Sequence, residues 1–178
     1  MILTVDIGNT IIAVGGFEGD MLAFVVRLAT NIKETSHEYA AKLDSILRLS
    51  DTETHSLTAA VISSVVPQLT GTIREALKIA FGIDALSVGP GVKTGINIHC
   101  DDPSSVGADL ICVSVAAAKK YGSPCIIVDM GTATKIIHLG KNGTFEGVAI
   151  LPGAEISLSA LADRTAQLPH IALTAPDS

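Results

Sequence analysis

Short apolar runs rich in Val, Ile and Leu open the chain, at Ile2–Val5, Ile11–Phe17 and Met21–Leu28, separated by glycine-containing turns. β-Branched runs of this length between turn residues predict strands, and Glu18-Gly19-Asp20 predicts a hairpin turn, so the three form an antiparallel meander. From Ser36 to Leu49 the spacing changes. Tyr39, Leu43, Ile46, Leu47 and Leu49 approximate a helical stripe, with Ser36 as cap and Glu38 in the first turn. A strand is predicted over Leu57–Ser64, a helix opened by Pro67 and ending near Phe81, and a short strand over Ala85–Val88. The segment from Gly89 to Gly95 must be a loop, and Asp102-Pro103 offers a cap and first-turn proline for a helix through Lys120. After Tyr121-Gly122-Ser123-Pro124 come strands at Cys125–Val128, Lys135–Leu139 and Phe145–Leu151, then a helix beyond Gly153.

The later strands repeat the first ones. Cys125-Ile-Ile-Val-Asp-Met-Gly-Thr132 follows the logic of Ile2-Leu-Thr-Val-Asp-Ile-Gly-Asn9, with Asp6 and Asp129 lying 123 residues apart. A single D-x-G at a strand end occurs by chance in many turns, whereas two in matching contexts point to duplication. The layout resembles the superfamily of actin, sugar kinases and heat-shock ATPases. That resemblance implies an α/β protein with a duplicated RNase-H-like (actin-like ATPase) fold, whose two domains face each other across a nucleotide cleft. A break near Lys119–Ser123 gives a domain over residues 1–121 and the start of a second over 122–178, which is incomplete.

Composition narrows the picture. Of 178 residues 48% are hydrophobic, with no Trp, two Tyr and four Phe, so aliphatic layers of strand and helix must fill the core. A net charge of −6 with 12 dispersed Lys and Arg argues against a nucleic-acid partner. The opening residues MILTVDIGNT lack the basic region and long apolar stretch of a signal peptide or membrane anchor, so no membrane partner and a cytoplasmic location are expected. Three cysteines (Cys100, Cys112, Cys125) without paired spacing predict neither a disulfide framework nor a zinc site. The five histidines, from His37 to His170, are equally scattered.

Phosphoryl transfer calls for backbone donors, metal-binding carboxylates and one base. In Asp6-Ile7-Gly8-Asn9-Thr10, Gly8 allows close approach to a phosphate, Asn9 and Thr10 add donors, and Asp6 suits Mg²⁺ directly or through water. A plain hairpin glycine explains this turn equally well when it is taken alone. The second copy, Asp129, Gly131, Thr132 and Thr134, tips the balance toward function. Lys135 reads either as a phosphate contact or, preferably, as a solvated strand residue. Asp109 suits a general base on a substrate hydroxyl, while the helix dipole alone also favours an acid there. The loop 89–95 suits a plain connection or a substrate wall equally.

The ordered set DIGNT at 6–10, GPGVKTG at 89–95, DDPSSVGAD at 101–109, DMGTATK at 129–135 and ILPG at 150–153 resembles type III pantothenate kinase, as does the ADRTAQLP stretch within 161–169. The resemblance implies transfer of the ATP γ-phosphate to the 4′-hydroxyl of pantothenate, the first step toward coenzyme A. It also implies Mg²⁺, a monovalent cation (K⁺ or NH₄⁺) and a homodimer. Carried over by position, Asp6, Gly8, Asn9 and Thr10 bind ATP phosphate, with Asp6 on Mg²⁺, and Gly131 and Thr132 also contact phosphate. Asp109 is the base and Asp129 the monovalent-cation ligand. Gly89, Gly91, Lys93, Thr94, Gly95, Gly107 and Ala108 border pantothenate. Three departures stand out: Leu110 replaces the family's arginine, Val148 replaces one of a pair of glycines, and later glycine-bearing segments have no counterpart. They motivate the alternative of a catalytically inactive homologue or fragment that acts as a nucleotide-binding or regulatory protein.

Overall fold

In the computed structural model, residues 1–50, 56–89, 91–165, 167, 169 and 171–174 are described. Pro90 of the glycine-rich loop, Ala166 and Leu168 of the 161–169 stretch, and His170 lie outside them. The chain separates into two compact units, one of residues 1–94 and 104–112, the other of residues 95–103 and 113–178.

The first unit is built on a five-stranded sheet. Strands β1 (Ile2–Ile7), β2 (Ile11–Glu18) and β3 (Met21–Ala29) form the expected antiparallel meander, and β4 (Ala59–Ser64) and β5 (Leu86–Ser87) add to β1 in parallel, giving the order β3-β2-β1-β4-β5. The parallel additions require crossovers, supplied by helices α1 (Ser36–Leu49) and α2 (Pro67–Phe81). One face of the sheet, carrying Leu3, Val5, Ile7, Ile12, Val14 and Ile62, packs with Tyr39, Leu43 and Leu47 of α1 and Leu69, Ile73 and Leu77 of α2 into a core that excludes water. The opposite face of β1 carries Thr4 and Asp6.

The helix termini follow from local chemistry. Thr35, not Ser36, caps α1: its side chain accepts from the Glu38 amide while the Glu38 carboxylate accepts from the Thr35 amide at 2.7 Å, a capping box worth about 1 kcal/mol. Helix α2 starts with Pro67 in its first turn and stops at Gly82, whose φ of 68° is the left-handed conformation glycine adopts without a Cβ penalty. The helix expected from Pro103 is interrupted. Residues Pro103–Ser105 form a single 3₁₀ turn, and α3 runs only over Ala108–Tyr121, because Gly107 ends the turn and its carbonyl accepts the first helical bond from Ile111 at 3.2 Å.

The second unit carries the repeated meander, β6 (Cys125–Met130), β7 (Ala133–Leu139) and β8 (Phe145–Pro152), followed by α4 (Ala154–Arg164). Both D-x-G strands run two residues further than the apolar runs alone predict, because pairing continues through Asp6 opposite Ala13 and Asp129 opposite Lys135. Ile127, Ile137, Leu139 and Phe145 share the inner face of this sheet, and Val148 stands opposite Ile137 on it, so its bulk belongs to the apolar packing of the unit. The outer face differs from its counterpart in the first unit. Leu3, Val5 and Ile7 are at most 1% exposed, whereas the repeat-equivalent Ile126, Val128 and Met130 are 58–77% exposed. The positions that two helices cover in the first copy are left largely open by the described residues of the second. Among the described residues no helix is long and apolar enough to cross a membrane.

Candidate active site

In the first unit Asp6 lies on the sheet face opposite the core. Asp6 and Ser63 are register partners on the neighbouring parallel strands β1 and β4, so their side chains project from the same face, and the Ser63 hydroxyl donates to Asp6 Oδ1 at 3.0 Å. The turn after Asp6 is closed by the Gly8 amide donating to the Ile11 carbonyl at 3.0 Å, and Asn9 and Thr10 are exposed at its tip. A Cβ on Gly8 would sit 3.0 Å from the Ile11 carbonyl oxygen, so the tightness of the turn itself favours glycine.

The first turn of α3 belongs to the same unit. Asp109 is the second residue of the helix, and its carboxylate folds back over Gly107, with Oδ1 2.5 Å from the point a Cβ would occupy there. Gly107 thus leaves the space in which the carboxylate rests. Cys112, one turn further along, links the groups. Burial pushes its thiol up from the ordinary value, a hydrogen bond with Ser63 opposes this, and the charges of Asp6 and Asp109 add to the rise. The charges of the two carboxylates predicted from sequence as metal ligand and base thus both favour the protonated thiol. Ser63 and Cys112 are the residues sequence reasoning missed. Ser63 is 8% exposed, and a serine at the polar end of β4, facing away from the apolar core pattern, was the available signal.

Ala108 opens α3 beside Asp109, while Gly89, Lys93 and Thr94 lie on the connection after β5. Gly91 and Gly95 have φ of 88° and 81°, and the Val92 amide donates to the Gly89 carbonyl at 3.1 Å, so the glycines are required by the turn whatever else the loop does.

In the second unit the repeated turn is closed by the Gly131 amide donating to the Ala133 carbonyl at 3.2 Å. Gly153 lies directly against it: its amide donates to the Thr132 carbonyl at 3.1 Å, and a Cβ there would collide with the carbonyl oxygens of Gly131 and Thr132. This close approach explains the glycine of Ile150-Leu-Pro-Gly153, and it sets the N-terminus of α4, whose first bond runs from the Ser157 amide to the Gly153 carbonyl, beside the turn. Lys135 is not the solvated strand residue favoured from sequence. Its ammonium pairs with Asp129 Oδ2 at 2.7 Å, with its side chain 20% exposed.

The sequence profile of the family described as type III pantothenate kinase matches residues 2–178. The chain belongs to that family. A type III pantothenate kinase of Shouchella clausii is 42% identical over the whole chain, and one of Bifidobacterium animalis subsp. lactis is 40% identical; the chain spans 70% and 71% of their respective lengths. In three dimensions the chain is similar to a putative 2-dehydro-3-deoxygalactonokinase from Sinorhizobium meliloti, with a TM-score of 0.53 at 13% identity over 93% of this chain and 57% of that one. This last likeness concerns the fold, which is the α/β fold of the actin-like and sugar-kinase ATPases. A type III pantothenate kinase is a phosphotransferase that uses ATP, which agrees with two glycine turns and two strand-end carboxylates in repeated positions.

Among the described residues no cluster of three or more His, Cys, Asp or Glu forms a metal cage. Asp6 nonetheless fits Mg²⁺, which is bound through one or two carboxylates with water and substrate phosphates completing its shell. Asp129 does not fit a monovalent cation in the same way, because Lys135 already places a positive charge on its carboxylate.

Proposed function

We propose that the chain phosphorylates pantothenate at its 4′-hydroxyl with ATP, in coenzyme A biosynthesis, with Asp109 as general base. The observation that supports this best is the Ser63 hydrogen bond that orients Asp6, a carboxylate suited to Mg²⁺, in the same unit as Asp109, a carboxylate suited to proton abstraction in the first turn of α3.

On this reading Gly8, Asn9 and Thr10 donate to phosphate oxygens, Asp6 would hold the Mg²⁺ that accompanies them, and Gly131 and Thr132 form a further phosphate-binding turn. When bound at Asp6, Mg²⁺ would neutralise phosphate charge. Asp109 accepts the proton of the pantothenate hydroxyl as its oxygen bonds to the γ-phosphorus and the bond to the ADP oxygen breaks. Gly107 and Ala108, with Gly89, Gly91, Lys93, Thr94 and Gly95, border the pantothenate. The family resemblance also supports a homodimer in the cytoplasm, and light scattering that returned a monomer would count against the dimer.

The test is formation of 4′-phosphopantothenate, followed by mass spectrometry, from purified protein, pantothenate, Mg-ATP and a potassium or ammonium salt. Product that disappears with Asp109→Asn is the expected result. A folded protein that binds Mg-ATP and yields no product would favour the second reading, a nucleotide-binding homologue. Leu110, apolar and 6% exposed where the family carries an arginine, is the observation on that side.

A further inference from the structure

The two strand-end acids of the repeat are neutralised differently. Asp6 faces Ala13 across its hairpin, but Asp129 faces Lys135, because the first turn encloses residues 8–11 between paired Ile7 and Ile12 while the second encloses only 131–133 between Met130 and Thr134. The shorter turn moves the strand by one residue relative to the acid, and the residue brought opposite is a lysine. Its ammonium lies 2.7 Å from Asp129 Oδ2.

We propose that Lys135 is a built-in counter-ion for Asp129, supplying the charge that a bound K⁺ or NH₄⁺ would otherwise supply, so that this turn needs no monovalent cation. The inference rests on the proposed kinase function and on the family resemblance, which implies a monovalent cation at Asp129. Three features carry it. The lysine head group is chemically an alkylated ammonium ion, with the same charge as the expected ligands and three N–H donors. It is tethered on the adjacent strand, so it reaches Asp129 without the translational and rotational loss that binding a free ion entails. The lysine side chain is only 20% exposed, unusual for a residue type seldom buried unless paired. With this ammonium on the carboxylate, a second cation would meet like charge at contact range.

The test is thermal unfolding of the full chain in potassium, ammonium or choline chloride at equal ionic strength, a readout that does not depend on turnover. The wild type should unfold at the same temperature in all three. Lys135→Met and Lys135→Thr should be less stable in choline and recover by about 3 °C or more in potassium or ammonium, whereas Lys135→Arg should remain indifferent to the salt. A wild type stabilised specifically by potassium, or Lys135 variants that fold yet ignore it, would overturn the proposal. Should neither neutral variant fold, thallium-205 NMR of the wild type decides: absence of bound Tl⁺ upholds the built-in charge, and Tl⁺ binding abolished by Asp129→Asn overturns it. Because none of these readouts requires product, failure of the pantothenate assignment and failure of this inference are separately visible.

Discussion

The Ser63 hydroxyl donates a 3.0 Å hydrogen bond to Asp6 Oδ1 across two neighbouring parallel strands, between residues 57 apart in sequence. A hydrogen bond to a charged group contributes about 1.5–3 kcal/mol, and here its effect is to fix the direction of the carboxylate. Ser63→Ala should therefore lower kcat/KM for Mg-ATP by roughly 10- to 100-fold, with KM for pantothenate little changed. Equal losses for both substrates, or none, would remove Ser63 from the metal side of the site.

Gly107→Ala should silence the enzyme without unfolding it. The new methyl would sit 2.5 Å from Asp109 Oδ1, inside contact distance, and a short side chain answers by rotating away from it. The expected result is a fall in kcat of about 100-fold, as for a misplaced base, with a melting temperature close to that of the wild type. A variant as active as the wild type would show that Asp109 works from another rotamer.

Cys112 reports on the charges around it. Its folded pKa is raised, chiefly by burial, so the folded state keeps the proton that the unfolded chain gives up first. The corresponding stability is complete below the ordinary thiol value and is lost as pH rises through the folded one. Alkylation by iodoacetamide, followed by peptide mass spectrometry across alkaline pH, should show Cys112 reacting with a midpoint above the ordinary value. Asp6→Asn or Asp109→Asn should move that midpoint down, since each removes a negative charge. An unmoved midpoint in both variants would mean that the carboxylates lie too far from the thiol to matter.

Leu110→Arg introduces the arginine that the family resemblance implies at a position 6% exposed. An isolated guanidinium in such a place meets a desolvation cost unless a carboxylate or phosphate pairs with it. The variant should melt about 5 °C or more below the wild type without ligand, and pantothenate should recover part of the loss if the arginine reaches the substrate carboxylate. A variant with unchanged melting temperature would show that the side chain escapes to water.

The alternation of strands and helices, the duplicated D-x-G turn and the family were legible along the chain, because these are carried by local periodicity, turn residues and ordered motifs. The sequence also placed the helix after Pro67 and, through Thr35-x-x-Glu38, held the signal for the true start of α1. Its misreading of the helix from Pro103 was a local one, since Gly107 stood in view as the interruption.

Which side chains meet was settled by strand pairing, beyond the reach of local pattern. Ser63 reaches Asp6 through the parallel register of β1 and β4, strands that local sequence cannot align. Lys135 reaches Asp129 because the second hairpin turn is one residue shorter than the first, and in a strand a shift of one residue exchanges one face for the other. Periodicity assigns a residue to an element, but hydrogen-bonded register between elements assigns it a neighbour, and the chemistry of this protein depends on neighbours.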